Sequence, residues 1–293
     1  MNPGTPSISA VVAGTRAERT ALPFLTNGGY DMTDGLVAPT RIPDTSAITE
    51  IAFPHQITSN NEVTYFSEST LSRIKEAREA RMARQIEEAT LPRVKRAMGQ
   101  LQEARSGDSE LNRFINYLPS TLDNTGNQLI RQAQIALAAF RAGLTVSANL
   151  NIGGFDTHGN HDNQHTPRIQ QILEGVTFIM DQAEALGIRD KVIVLVGSDF
   201  ARTPWYNENN GKDHWSVTSM MLMGPGITGG RVVGATDYYQ SPLTVDPQTL
   251  ELSESGIRIT PGHIHAALRD YAQASSDPDV QRHPVGTALP LLG

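Results

Sequence analysis

The pattern of apolar and polar positions changes at Ser69. Before it, in residues 1–68, Gly, Pro, Thr and Asn recur so closely that only short elements fit between turns, such as a short strand at residues 10–12. After it, apolar residues recur at three- and four-residue steps, which indicates helix. Those positions are Leu71, Ile74, Met82, Ile86, Leu91, Val94, Met98 and Leu101. The pattern predicts an irregular N-terminal segment, 1–68, and a helical insertion or cap, 69–118.

Helical and β-prone patterns alternate through the middle of the chain, and glycines Gly143 and Gly187 end the two helical patterns. The predicted elements are helix 127–142, strand 144–152, helix 166–186, strand 191–197, strand 217–224 and helix 262–274. The run 191–197 is almost wholly apolar and β-branched, as expected of a strand covered on both faces. This alternation predicts an α/β core, 119–274, with a parallel sheet and crossover helices, followed by a tail, 275–293.

Residue types that bind metals follow two of the predicted strands. Asp156 and His158 come after 144–152, and Asp199 comes after 191–197. Ligands of open α/β sheets bind beyond the carboxyl ends of the strands, and Asp with His suits zinc, manganese or a similar ion. A simple turn, in which Asp bonds its own backbone, explains the first pair equally well. Asp213-His214 alone is typical of an ordinary surface pair, whereas the three clusters together favour one metal site.

Composition narrows the classes of function. The formal net charge of -7 argues against general nucleic-acid binding, which needs a basic face. The absence of cysteine removes disulfides, thiolate nucleophiles and Cys-ligated zinc. No apolar run is long enough to predict a membrane-spanning helix, and the first residues do not have the pattern of an export signal.

Several polar segments, in this order, resemble a known bacterial family. They are residues 153–158 (Gly-Gly-Phe-Asp-Thr-His), 198–204 (Ser-Asp-Phe-Ala-Arg-Thr-Pro), 213–214 (Asp-His) and 229–234 (Gly-Gly-Arg-Val-Val-Gly). They are similar to hallmarks of the domain-of-unknown-function 1501 family. That family is grouped with the alkaline-phosphatase-like superfamily of phosphatases, sulfatases and metal-dependent phosphomutases.

The resemblance implies a fold, a cofactor and a reaction. The fold would be a three-layer α/β/α sandwich around a mostly parallel sheet. The cofactor would be a divalent metal, zinc first, with manganese and calcium as alternatives. The implied metal ligands are Asp156, His158, His161, Asp199, Asp213 and His214, with His158 and His161 as alternatives for one position. Arg202 would bind an anionic oxygen of a phosphate or sulfate ester, carried by a small molecule or a glycan, and the family suggests a periplasmic or exported protein.

The sequence also departs from the family pattern. Phe200 follows Asp199 where the superfamily has histidine, and Trp215 follows His214 where the family has glycine. Nothing before Ser69 resembles the strand that supplies the superfamily's nucleophile, and no strand is predicted immediately before the glycine-rich stretch that contains Asp31. Three roles therefore stay open: a metal-dependent hydrolase, a non-catalytic relative that keeps a metal site and binds a carbohydrate or protein partner, and a chain that begins partway into the family's domain.

Overall fold

The computed structural model describes residues 4–16, 20–42, 64–106 and 113–292 and has a mixed α/β architecture. Its helices are α1 (Ile8–Gly14), α2 (Glu68–Glu88), α3 (Pro92–Ser106), α4 (Gln128–Ala142), α5 (His161–Ala185), α6 (Pro261–Tyr271) and α7 (Pro278–Gln281), with a 3-10 turn at Arg189–Lys191. Its strands are β1 (Phe24–Thr26), β2 (Pro39–Thr40), β3 (Ser147–Asn149), β4 (Val194–Val196), β5 (Ala201–Arg202), β6 (His214–Trp215) and β7 (Met221–Met223). None of the described helices is both long enough and apolar enough to cross a membrane.

A parallel sheet of three strands, in the order β2-β1-β3, lies between two helices. Phe24 packs with Ala10 and Ala13 of α1, whereas its neighbour Leu25 packs with the α4 side. Successive side chains of a strand point to opposite faces, so α1 and α4 cover opposite faces of this sheet. The sheet is small, but its central strand is fully buried.

The N-terminal segment contributes more to this sheet than its pattern predicted. The strand β1 directly precedes the glycine-rich stretch that contains Asp31, so the prediction that no strand precedes Asp31 is wrong. With only three residues, β1 is too short to show a strand period. Residues 10–12 are helical rather than extended, because the Ser7 hydroxyl accepts from the Ala10 amide and caps α1.

The remaining strands form two antiparallel pairs. Val194 of β4 lies opposite Met223 of β7, and Arg202 of β5 lies opposite His214 of β6. The predicted strands 144–152 and 191–197 are thus present as β3 and β4 in shortened form, but they belong to different sheets. An apolar run predicts that a strand is buried, but it does not identify the strand's partner.

Helix α4 lies at the centre of the hydrophobic core. One side, with Ile135 and Ala139, packs against Leu25, Phe114 and other residues near the parallel sheet. The opposite side, with Ala133 and Leu137, packs against α5 and the segment that leads to β4. The ends of α4 agree with prediction: the Asn127 side chain caps its start, and Gly143 ends it with a φ of 76° that favours glycine.

Helices α2 and α3 are present where helix was predicted, but their apolar residues do not face a core. Met82 is the one residue of α2 that is buried. Leu91, between the helices, is 63% exposed and Leu101 of α3 is 42% exposed. The two helices enclose a groove lined by Arg78, Arg81, Met82, Gln85, Met98 and Leu101. Helical periodicity therefore predicted the helices correctly, but it did not determine whether their apolar residues are buried.

The crossing of α4 and α5 gives a first prediction. A Cβ placed on Gly175 of α5 would lie 2.8 Å from the Cβ of Leu129 on α4. We expect Gly175→Ala to lower the free energy of unfolding by about 1–3 kcal/mol, because the helices must separate. Gly99→Ala on α3 is the matched control: no atom lies within 4 Å of its Cβ position, and alanine should stabilise the helix by about 0.5–1 kcal/mol. Urea unfolding measures both, and two changes of equal sign would contradict the close crossing.

His265 on α6 gives a second prediction, on pH. Its side chain is buried and donates from Nε2 to the Pro6 carbonyl at 3.2 Å. Burial, with the nearby Arg269 charge, lowers the pKa of His265 from 6.5 to about 4. As pH falls through this interval, the unfolded chain takes up a proton that the folded chain excludes, so the free energy of unfolding falls, by up to about 3 kcal/mol.

The variant His265→Gln stays uncharged and can still donate to Pro6. It should therefore lose this part of the pH dependence. Above pH 6.5, the difference in free energy of unfolding between the variant and the wild type should stay constant. Urea midpoints measured from pH 7 to pH 4 test this, and an unchanged slope in the variant would refute it.

Candidate metal centre

Backbone pairing brings two distant segments together at the start of α5. The Lys212 amide donates to the Thr157 carbonyl at 3.0 Å, and the His161 amide donates to the Asn210 carbonyl at 2.8 Å. Gly211 passes so close that a Cβ there would lie 1.9 Å from the carbonyl carbon and oxygen of His158. Residues 157–161 and 209–212 are thereby held side by side. This arrangement places His158 next to Asp213 and His214, which follow residue 212.

Asp156, His158 and His214 converge through one atom each. His158 Nε2 lies 3.0 Å from Asp156 Oδ1 and 3.2 Å from His214 Nε2. The third distance, from His214 Nε2 to Asp156 Oδ1, is 3.5 Å. A tetrahedral zinc ion with bonds of about 2.0–2.1 Å keeps its ligand atoms about 3.3 Å apart. The three atoms therefore fit one face of such a coordination shell, and all three side chains are exposed.

Asp213 orients His158 from behind. Its Oδ1 accepts from His158 Nδ1 at 2.9 Å and from Asn207 Nδ2 at 3.1 Å. These bonds, His158 first, hold the pKa of Asp213 below its ordinary value. A carboxylate only accepts, so the proton of a neutral His158 is on Nδ1 and the Nε2 lone pair faces Asp156 and His214. This carboxylate–imidazole pairing is the arrangement that orients metal-binding histidines.

Arg202, on β5, borders the cluster that Asp156, His158 and His214 form. It donates to Asp156 Oδ1 at 2.8 Å and to the Lys212 carbonyl at 3.2 Å, and its NH1 lies 3.4 Å from His158 Nε2. Its side chain is only 9% exposed, so the guanidinium is held firmly. The hydrogen bond from Arg202 is the main reason that the pKa of Asp156 is lowered. A fixed cation thus lies beside three potential ligand atoms.

Phe200 has a place in this arrangement that its sequence position did not reveal. Its ring centroid lies 4.1 Å from that of His214, and the Arg202 guanidinium lies 5.4 Å from the centre of the same ring. Phe200 therefore packs against a ligand-type residue.

Two of the residues suggested by the resemblance lie outside the cluster. His161 is buried, and its Nδ1 is 2.7 Å from Thr157 Oγ1 while its ring stacks on His165 at 4.4 Å. Burial lowers the pKa of His161. Asp199 is exposed and accepts from the Phe200 amide at 3.2 Å. Of the six residues, the structure thus brings together Asp156, His158 and His214, places Asp213 against His158, and leaves His161 and Asp199 apart.

Asn207 and Gly211 were missed by sequence reasoning. Asn207 donates to the His158 carbonyl at 3.0 Å and to Asp213, and its Oδ1 accepts from the Gly211 amide at 2.9 Å. The sequence signal for both was the Asn- and Gly-rich composition of residues 207–211, which indicates a tight turn but not its partner.

Comparisons with known proteins return one family. The family described as "Protein of unknown function (DUF1501)" matches residues 41–251, which is more than half of the chain and contains every residue of the cluster. No curated protein matches the chain, and no solved structure matches it.

The contact at Gly211 gives a third prediction. Gly211→Ala should force residues 209–212 away from His158 and lower the free energy of unfolding by about 2–4 kcal/mol, in the range typical of severe steric changes. Gly229→Ala, where no atom lies within 4 Å, should change it by less than about 0.5 kcal/mol. Thermal unfolding followed by circular dichroism compares the two, and equal stability would show that the loop can separate from His158 without cost.

Proposed function

The chain belongs to the DUF1501 family, and we propose that it is a metal-dependent hydrolase of phosphate or sulfate esters that binds one divalent ion through Asp156, His158 and His214. The observation that carries this proposal is the convergence of three ligand atoms, one of which belongs to a histidine, His158, that Asp213 already orients. Histidines that bind metals usually donate their other ring N–H to a carboxylate or carbonyl in this way.

The donor set favours zinc. Two imidazoles and one carboxylate form the three-ligand pattern of catalytic zinc sites, which leaves a coordination position for water or substrate. The same set in an octahedral shell suits manganese or iron. Calcium is disfavoured because it prefers six to eight oxygen ligands. The exposure of all three side chains leaves the open side of the site accessible to a large ester.

The residues around the ion have separable roles. Arg202 would bind an anionic ester oxygen, since a guanidinium presents two parallel donors to phosphate or sulfate. Asp213 and Asn207 would keep His158 in place, and Phe200 would support the His214 ring. When bound, the ion would supply Lewis-acid activation of an ester oxygen or of water.

The proposal extends to the fold. The sheet β2-β1-β3, with α1 on one face and α4 on the other, is consistent with part of a three-layer α/β/α sandwich of the alkaline-phosphatase-like type. In such sheets, ligands bind beyond the carboxyl ends of the strands, and Asp156 follows β3 in this direction.

A second candidate function is a non-catalytic binding protein, and Arg202 is the observation that favours it. Its guanidinium already donates to Asp156 Oδ1, so a cation compensates this carboxylate without a metal. In this case the chain would keep the cluster as a structural feature and bind a carbohydrate or protein partner.

The proposal predicts a defined order of zinc affinities, measured by calorimetry and elemental analysis. His158→Ala and His214→Ala should abolish stoichiometric zinc binding, because each removes a ligand. Asp213→Asn should weaken it by about 10–100-fold, as is typical when a carboxylate behind a metal-binding histidine is lost. Asp199→Asn is the matched control: this exposed aspartate lies outside the cluster and its loss should have no effect.

Turnover of aryl phosphate and aryl sulfate then separates the two functions. A hydrolase should lose activity in His158→Ala, and Arg202→Met should lower kcat/KM by at least about tenfold, the loss expected for a charge-assisted bond to the ester. Zinc binding without turnover would support the non-catalytic role, and a wild-type protein that binds no divalent metal would refute the metal site itself.

A further inference from the structure

Both tryptophans of the chain lie in contact on the surface near the cluster. Their ring centroids are 5.2 Å apart in an edge-to-face arrangement, and Trp205 is 54% exposed. Trp215 follows His214 on β6, so the two side chains point to opposite faces of the β5–β6 pair. The tryptophans therefore belong to a surface behind the one that carries Arg202 and His214, and the metal cluster does not account for them.

A turn that is bonded to Trp215 carries two exposed tyrosines. Trp215 Nε1 donates to the Gln240 carbonyl at 3.2 Å, which ties β6 to the turn formed by residues 237–241. Asp237 Oδ1 accepts from the amides of Tyr239 and Ser241, each at 2.8 Å, and fixes the turn. Tyr238 and Tyr239 are nevertheless 92% and 72% exposed. The backbone is thus ordered while two large rings are held out in solvent.

The surroundings of these rings identify the ligand chemistry. Residues 206–209 and 237–241 supply hydroxyl, amide and carboxylate groups without lysine or arginine, and Lys212 lies at one side, with its Nζ 4.8 Å from the Tyr206 ring and 3.4 Å from the Pro204 carbonyl oxygen. Carboxylates are depleted in the core of a protein interface, and single-stranded nucleic acid needs a positively charged groove along the stacking rings, which a single lysine does not form. A sugar ring matches both features: its C–H face stacks on the electron-rich face of an aromatic ring, and its hydroxyls bond to amides and carboxylates.

We propose that Trp205, Trp215, Tyr238 and Tyr239 form a platform that binds a neutral pyranose chain. Edge-to-face contacts and the Trp215 hydrogen bond hold the rings in place, so little side-chain freedom is lost when a sugar stacks on them. The platform lies on the face of the β5–β6 pair opposite to Arg202 and His214, a position suited to anchoring a glycan. Binding to the platform does not depend on metal or on hydrolysis, so the two proposals can fail separately.

The tryptophans themselves provide the measurement. Since the chain has two tryptophans and both lie in the platform, its whole tryptophan fluorescence reports on this surface. Titration with cellohexaose, maltohexaose, mannohexaose and xylohexaose should change the fluorescence in a saturable manner for at least one of them. Trp205→Ala and Tyr239→Ala should each weaken that binding by about tenfold, the loss expected for one stacked ring. Tyr65→Ala removes a tyrosine that is 66% exposed elsewhere and should have no effect.

Two further measurements make the outcome decisive. His158→Ala should bind the sugar as the wild type does, even if zinc binding is lost. Tyr239 is mostly exposed, so its replacement tests the platform without threatening the fold. Absence of a fluorescence change with all four sugars at millimolar concentration would overturn the proposal. So would sedimentation showing that the wild type dimerises and that Trp205→Ala is monomeric, because the platform would then be a contact between copies of the chain.

Discussion

The candidate site depends on one close backbone contact, between Gly211 and His158. It allows residues 209–212 to run beside residues 157–161 with their amides and carbonyls paired. The same contact sets the start of α5, because the His161 amide bonds to Asn210 instead of to a capping side chain. The helix therefore begins at His161, five residues before the position that its apolar pattern predicted, and Pro167 lies inside it. One constraint thus orders the loop, the helix and the side chains that converge between them.

Charge explains why the cluster has this form. Three atoms with lone pairs cannot approach to within 3.5 Å without a positive charge or shared protons to offset their repulsion. Arg202 supplies part of that charge through Asp156, and a divalent ion would supply more. Asp213 adds a second carboxylate behind His158, so the imidazole lies between two acceptors. The hydrogen bond from Arg202 is the main cause that lowers the pKa of Asp156, and the hydrogen bond from His158 is the main cause that lowers the pKa of Asp213.

Local pattern predicted some elements well because their determinants are local. The apolar face of α4, its Asn127 cap and Gly143 all lie within or beside one helix, and the helix is found as predicted. Helices α2 and α3 show the limit of such patterns: their periodicity is helical, but Leu91 and Leu101 stay exposed in the described structure. Periodicity reports the conformation of a segment, whereas burial depends on whether another element covers it.

For the site, the sequence by itself determined which residue types were available and where they clustered: Asp156 and His158 after one strand, Asp213 and His214 after a turn-rich loop. It also determined what the chain lacks, since no cysteine is present to ligate a metal. The tertiary structure alone decided which candidates meet. Antiparallel pairing of β5 with β6 placed His214 opposite Arg202, the bond to Thr157 kept His161 in the interior, and Asp199 stayed apart. Strand partners and loop contacts are long-range choices, and residue spacing along a chain does not encode them.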